Sequence, residues 1–100
     1  MAKVYVSEYA RCVWDSSAHT AFPEGPALAQ YVLDTAATHL SAAFNAETRF
    51  IRMCADGVVS FAIGSNPTAT TSNERLPANW IEYLGVPKGG GMKLDVVANT

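Results

Sequence analysis

Much of the chain alternates polar and apolar residues with the two-residue period of a β-strand. In Lys3–Tyr9, Val4 and Val6 fall on one face and Lys3, Tyr5, Ser7 and Tyr9 on the other, which predicts a half-exposed strand. Arg11–Trp14 is expected to continue it after a bend at Ala10. The pattern is strongest from Arg49 to Gly64. Phe50, Arg52 and Cys54 share one face of a first strand, and Ile51 and Met53 the other. The following strand is apolar on both faces, with Val59, Phe61 and Ile63 opposite Val58, Ser60 and Ala62, as in a central strand covered on both sides. Asp56-Gly57 between them is a preferred pair for a two-residue turn with φ > 0, so the stretch predicts a β-hairpin at the middle of the domain. Further on, Trp80–Val86 alternates Trp80, Glu82 and Leu84 with Ile81, Tyr83 and Gly85. In Met92–Ala98, Met92, Leu94, Val96 and Ala98 are expected to face in, and Lys93 and Asp95 out.

Two segments are ambiguous. Leu28–Thr35 and His39–Ala46 are alanine-rich, which favours helix. Tyr31-Val32-Leu33, and the alternation of Leu40, Ala42 and Phe44 with His39, Ser41 and Ala43, favour a pair of strands joined near Ala36-Ala37. The β context of the rest selects strands. Three stretches read as connections. Asp15-Ser16-Ser17 has turn chemistry, and the chain from there to Pro26 reads as loop because of its Pro-x-Gly-Pro ending. Ser65–Arg75 is a long polar stretch without periodicity, a length that in a compact domain is usually functional or mobile. Pro87–Gly91 reads as a turn that uses glycine for its φ > 0 positions. Up to eight short strands separated by turn signals predict a single all-β domain over residues 1–100, a β-sandwich of jelly-roll type.

Composition narrows the function classes. The chain has 100 residues, 49% hydrophobic and 16% charged, with a net charge of −2. The charged share is below the usual quarter or so, so much of the surface is neutral or covered by a partner. No Lys/Arg cluster provides a phosphate footprint, which argues against nucleic acid as a partner. No apolar run approaches the ~20 residues of a membrane helix, and the opening Met1–Val6 lacks the apolar core of a signal peptide. A cytosolic product is therefore expected, with Ala2 permitting removal of Met1. Cys12 and Cys54 lie in apolar strand patterns and are expected to be free, buried thiols. With His19 and His39 in unrelated contexts, neither a metal site nor a cofactor is expected.

No catalytic motif survives inspection. Gly89-Gly90-Gly91 follows Pro87-Lys88 and precedes a strand, whereas a phosphate loop opens a helix. Ser16, His19 and Asp15 are neighbours in one loop and lack the geometry of a catalytic triad. The carboxylates are scattered. The candidates are instead contact residues. Phe22 in its Pro/Gly loop is a candidate anchor in a partner pocket. Arg49 and Arg52 beside the central strand, with Thr70 and Arg75 at the long loop, complete the candidate interface. Either the 65–75 or the 15–26 loop is expected to make the partner contact.

Several stretches resemble segments of a group of small tailed-phage virion proteins. They are Thr48-Arg49-Phe50-Ile51-Arg52, the run from Phe61 to Thr70, Leu76-Pro77-Ala78, the run from Glu82 to Gly89, Lys93-Leu94-Asp95-Val96-Val97, and the opening Ala2–Tyr9. The resemblance covers about the C-terminal half and the first strand. Asp15–Thr38 carries no matching pattern. The resemblance implies a structural component of the virion, assembled in the host cytoplasm: a capsid decoration (cement) protein with a jelly-roll-like fold. It would form a homo-oligomer, a trimer, on the major capsid protein. A tail, neck or surface-binding component, for a receptor or carbohydrate, is the alternative, and exposed Trp14, Trp80 or Tyr83 would favour it. A small cupin-type enzyme would need clustered His and carboxylate ligands, which the pattern lacks.

Overall fold

The computed structural model describes residues 2–17, 19–89 and 91–99. The described residues form nine strands: β1 Lys3–Tyr9, β2 Cys12–Asp15, β3 Thr20–Pro23, β4 Ala29–Asp34, β5 Phe50–Ala55, β6 Val59–Gly64, β7 Glu74–Leu76, β8 Ile81–Gly85 and β9 Lys93–Ala98. They assemble into a four-stranded sheet in the order β4-β1-β5-β8, a three-stranded sheet β7-β6-β9, and a separate β2-β3 ribbon, with all pairings antiparallel. The two larger sheets face each other as a β-sandwich.

The core follows from the alternation. Val4, Val6, Leu33, Ile51, Met53 and Ala55 project from the four-stranded sheet, and Val59, Phe61, Leu76, Leu94 and Val96 from the other, into one buried cluster. A side chain of this kind contributes about 1.5–3 kcal/mol when fully buried, so the apolar phase of each strand fixes its face. β6 is central in its sheet, as its two-sided apolar pattern predicts.

The predicted hairpin at Asp56-Gly57 does not form. β5 and β6 belong to different sheets, so the turn is a corner of the sandwich. Its backbone partner is the start of β1. Asp56 N donates to Lys3 O at 3.0 Å, and Asp56 Oδ1 accepts from Lys3 N at 2.7 Å. Gly57 is needed for space: a Cβ there would lie 3.1 Å from Ala2 Cβ. Neither Asp56 nor Gly57 has a positive φ; that conformation occurs at Gly89 (117°) and Gly91 (83°), in the turn before β9, while the Gly90 part of that expectation and the removal of Met1 lie outside the described residues.

Further expectations change. Arg11–Trp14 does not continue β1: Cys12–Asp15 forms a separate ribbon with β3. Thr20–Pro23 is a strand, because it pairs with Cys12–Asp15 in the register Val13 to Phe22 and Trp14 to Ala21. The ribbon is closed at its tip by Ser17 N donating to Asp15 Oδ1 and at its base by Glu24 N donating to Arg11 O. Pro23 is tolerated because the ribbon leaves one side of each strand unpaired. His39–Ala46 follows the edge of β9 without becoming a strand. Ser41 N donates to Leu94 O and Phe44 N to Met92 O, but only Leu40 and Asp95 form a bridge. The Leu94 N–H that would continue a ladder goes to Ser41 Oγ at 2.9 Å. Ser41 and Phe44, three apart, are the buried positions.

Candidate assembly interface

The pairing registers define the outer face of the four-stranded sheet. Val32, Tyr5, Cys54 and Ile81 stand opposite one another in a row that crosses β4, β1, β5 and β8. The next row is Gln30, Ser7, Arg52 and Tyr83, and the third brings Tyr9 beside Phe50. The rings of Tyr9 and Phe50 stack at 5.3 Å between centroids. Tyr5, Val32, Ile81 and Tyr83 are all about half exposed. The first and third rows are apolar or aromatic, and the middle row is polar with Arg52 as its charge. The β2-β3 ribbon borders this face at Phe50 and Tyr83.

The β2-β3 ribbon extends the same surface. A cleft of 420 Å³ between the ribbon and β8 is lined by Cys12, Phe22 and Pro23 on one side and Phe50, Tyr83 and Leu84 on the other. Phe22 is 48% exposed and Trp14, near the tip, 63%. A two-stranded hairpin alone is marginal in water, and this one carries its large apolar side chains outward. Trp80 is also exposed, at 59%, just before β8. It follows Asn79, whose positive φ of 61° turns the chain into that strand.

The structure brings together part of the predicted contact set. Phe22 and Arg52 lie on one surface, linked by Tyr83, which lines the cleft and stands opposite Arg52 in the ladder. Arg49 sits at the end of the sheet, where its backbone accepts from Val86 N and donates to Tyr9 O, beside a hollow shared with Arg11, Glu24 and Lys88. Thr70 and Arg75 belong to the other sheet and do not join the Phe22–Arg52 surface. Arg75 is on β7 opposite Ser60, and Thr70 is exposed in a turn where its N–H donates to Asn73 Oδ1.

The long loop is tied to the sandwich. Asp95, expected to face outward, points to the outside of its sheet but is only 4% exposed, because the loop lies over it. Its Oδ2 accepts from Ala69 N at 2.7 Å and its Oδ1 pairs with His39 Nδ1 at 2.5 Å. Asn99 Nδ2 donates to Ser60 Oγ and to Thr71 O, which holds the loop at a second point. Both thiols are free, but Cys12 is exposed and Cys54 only half-buried, so neither takes the buried position expected for it. Among the described residues, no group of three or more His, Cys, Asp or Glu side chains is placed to hold a metal ion. They also form no helix long and apolar enough to cross a membrane.

One inner-face group escaped the sequence reading. Glu8 is in phase with Val4 and Val6 and is 2% exposed. The signal was present: a carboxylate two residues beyond two core valines must be buried if the strand stays regular. Its Oε1 accepts from Asn45 N at 2.8 Å and from Thr48 Oγ1 at 2.7 Å, which fastens the 45–48 turn to β1.

No protein-family model, curated protein or solved structure matches this chain.

Proposed function

We propose that this chain is a non-enzymatic structural component of a tailed-phage particle, a capsid decoration (cement) protein that stabilises the head as a homo-oligomer, a trimer, bound to the major capsid protein. The observation that carries this reading is the half-exposed row of Tyr5, Val32 and Ile81 with Tyr83 on the outer face of the four-stranded sheet, continuous through the Phe22–Tyr83 cleft with the ribbon. Contiguous apolar surface of this kind marks a site of association. A standard interface takes about 800 Å² from each partner, roughly one-seventh of the chain's 5740 Å² of accessible surface. The sheet face is the part buried between copies, and the ribbon, with Phe22 as its anchor, reaches a neighbour. The resemblance of the strand segments to phage virion proteins supplies the particle context.

The test is to mix the purified chain with phage heads that lack it, sediment the mixture and image the particles. Regular, saturable density on the head lattice is the expected result. Absence of any association would overturn the reading. A second reading, a tail, neck or carbohydrate-binding surface component, is favoured by the exposure of Trp14, Trp80 and Tyr83. It predicts density at the tail or neck only. The aliphatic row of Val32 and Ile81 beside Tyr5 suits a protein surface better than a sugar, whose rings stack on aromatic faces.

A further inference from the structure

The assembly reading leaves one built site unused. At the open side of the sandwich, between β4 and the 38–45 segment, lies a pocket of 440 Å³. Its walls are largely apolar, formed by Ala29, Val32, Leu33, Leu40 and Ala42, and its polar residues are Glu8, Tyr31, Thr38, Ser41 and Asn45. Glu8, Tyr31 and Ser41 are not equivalent. Ser41 Oγ donates to Ala42 O and accepts from Leu94 N, so it serves the fold. Glu8 accepts both of its hydrogen bonds on Oε1, which leaves Oε2 as the oxygen available to a further donor. No Lys, Arg or His side chain among the described residues pairs with it. The Tyr31 hydroxyl is buried beside Glu8 and Ser41 but makes no hydrogen bond of good geometry to either. Burial, and then the adjacent Glu8, push the phenol well above its ordinary range, so it stays neutral beside the carboxylate.

A carboxylate with no cation beside a buried hydroxyl with no well-formed bond is a costly pairing, which a donor shared by both would complete. We infer that this pocket binds a primary ammonium group carried on an alkyl stem, the ammonium bonding Glu8 Oε2 and the Tyr31 hydroxyl and the stem lying along the apolar walls. An ammonium is a compact charge with three donors that can be shared between separate acceptors. A guanidinium is a poorer match, because its planar fork requires both carboxylate oxygens and one is already occupied twice. The charge is also right: no basic residue lines the pocket.

The experiment titrates the full, isotopically labelled chain with n-butylammonium chloride and follows amide resonances. Saturable shifts are expected at Asn45 and Thr48, which report on Glu8, with no saturable shift from n-butanol or sodium chloride. Tyr31→Phe keeps the ring and removes only the hydroxyl, so it should remain folded and bind the amine more weakly. Glu8→Gln should weaken binding by about tenfold or more, the usual loss for a charge-assisted bond. Comparison with Nα-acetyl-lysine amide identifies the source of the group. Tighter binding than butylammonium indicates a partner's lysine side chain, and equal or weaker binding indicates a free amine. No saturable shift with either amine, or equal response to butanol, would overturn the inference. Because the isolated chain is used, the result is independent of whether the chain binds phage heads.

Discussion

Replacing Asp95 by alanine removes the carboxylate that joins three parts of the chain: β9, His39 before the β9 edge, and Ala69 in the long loop. The side chain is almost fully covered, and its loss leaves Ala69 N and the more exposed His39 ring without their acceptor. The bond from Ala69 N at 2.7 Å goes to a charged group, and losing such a bond costs about 1.5–3 kcal/mol. The His39 side chain is 54% exposed, so its pair with Asp95 adds at most about 1 kcal/mol. Asp95→Ala should therefore destabilise the domain by about 2–4 kcal/mol, which for a domain of this size lowers Tm by roughly 10–25 °C. Asp95→Asn keeps one acceptor oxygen but turns an NH2 group toward one of the two donors, and it should lose about half as much. His39→Ala should cost under about 1 kcal/mol. Urea denaturation with an unchanged slope is the assay, with limited proteolysis between Ser65 and Asn73 as the local readout. A loss below about 0.5 kcal/mol for Asp95→Ala would refute the reasoning, because the loop would then owe nothing to this buried bond.

Other consequences follow from the same geometry. Gly57→Ala should destabilise the domain by about 1–3 kcal/mol in thermal unfolding, since the new Cβ would crowd Ala2 at the sandwich corner. In an ultraviolet titration, Tyr31 should ionise above the ordinary tyrosine range, and Tyr31→Phe should remove that late phase. The sign of the linked stability is fixed by the same shift. The folded state holds the Tyr31 proton more tightly than the unfolded chain, so this contribution is complete below about pH 10 and is lost as pH rises further. Thiol labelling should modify exposed Cys12 rapidly, while Cys54, in the middle of the outer face, should become protected as protein concentration rises and copies associate.

What was legible in the sequence is the strand phase, because a side chain's face depends only on its own strand. Val4 and Val6, Ile51 and Met53, and Leu94 and Val96 show their faces by alternation alone. Pairing is a different matter. Asp56-Gly57 looks like a hairpin turn from its two residues, but Lys3 and Ala2, far away in sequence, determine what the turn joins. Thr20–Pro23 was hidden by its neighbouring prolines and glycine, since only the opposing β2 makes it a strand. In 39–46 the strand pattern is broken by a side chain, Ser41 Oγ, taking a backbone donor. Asp95 shows that a polar position on the outside of a sheet can still be buried by a loop. Phe22 and Arg52 were named from local features, and the fold places them on one surface. The row of Val32, Tyr5, Cys54 and Ile81 was not legible, because it draws one residue from each of four strands.

The central claim is that this row is buried between copies of the chain. Light scattering on the eluting protein tests it most directly, with Tyr5, Val32 and Ile81 together replaced by serine as the comparison. The account predicts three times the chain mass of 10.7 kDa for the natural sequence, and a folded monomer for the triple variant, with the same sheet signature in circular dichroism. A natural chain that remains monomeric at every concentration, or a triple variant that keeps the oligomeric mass, would contradict it.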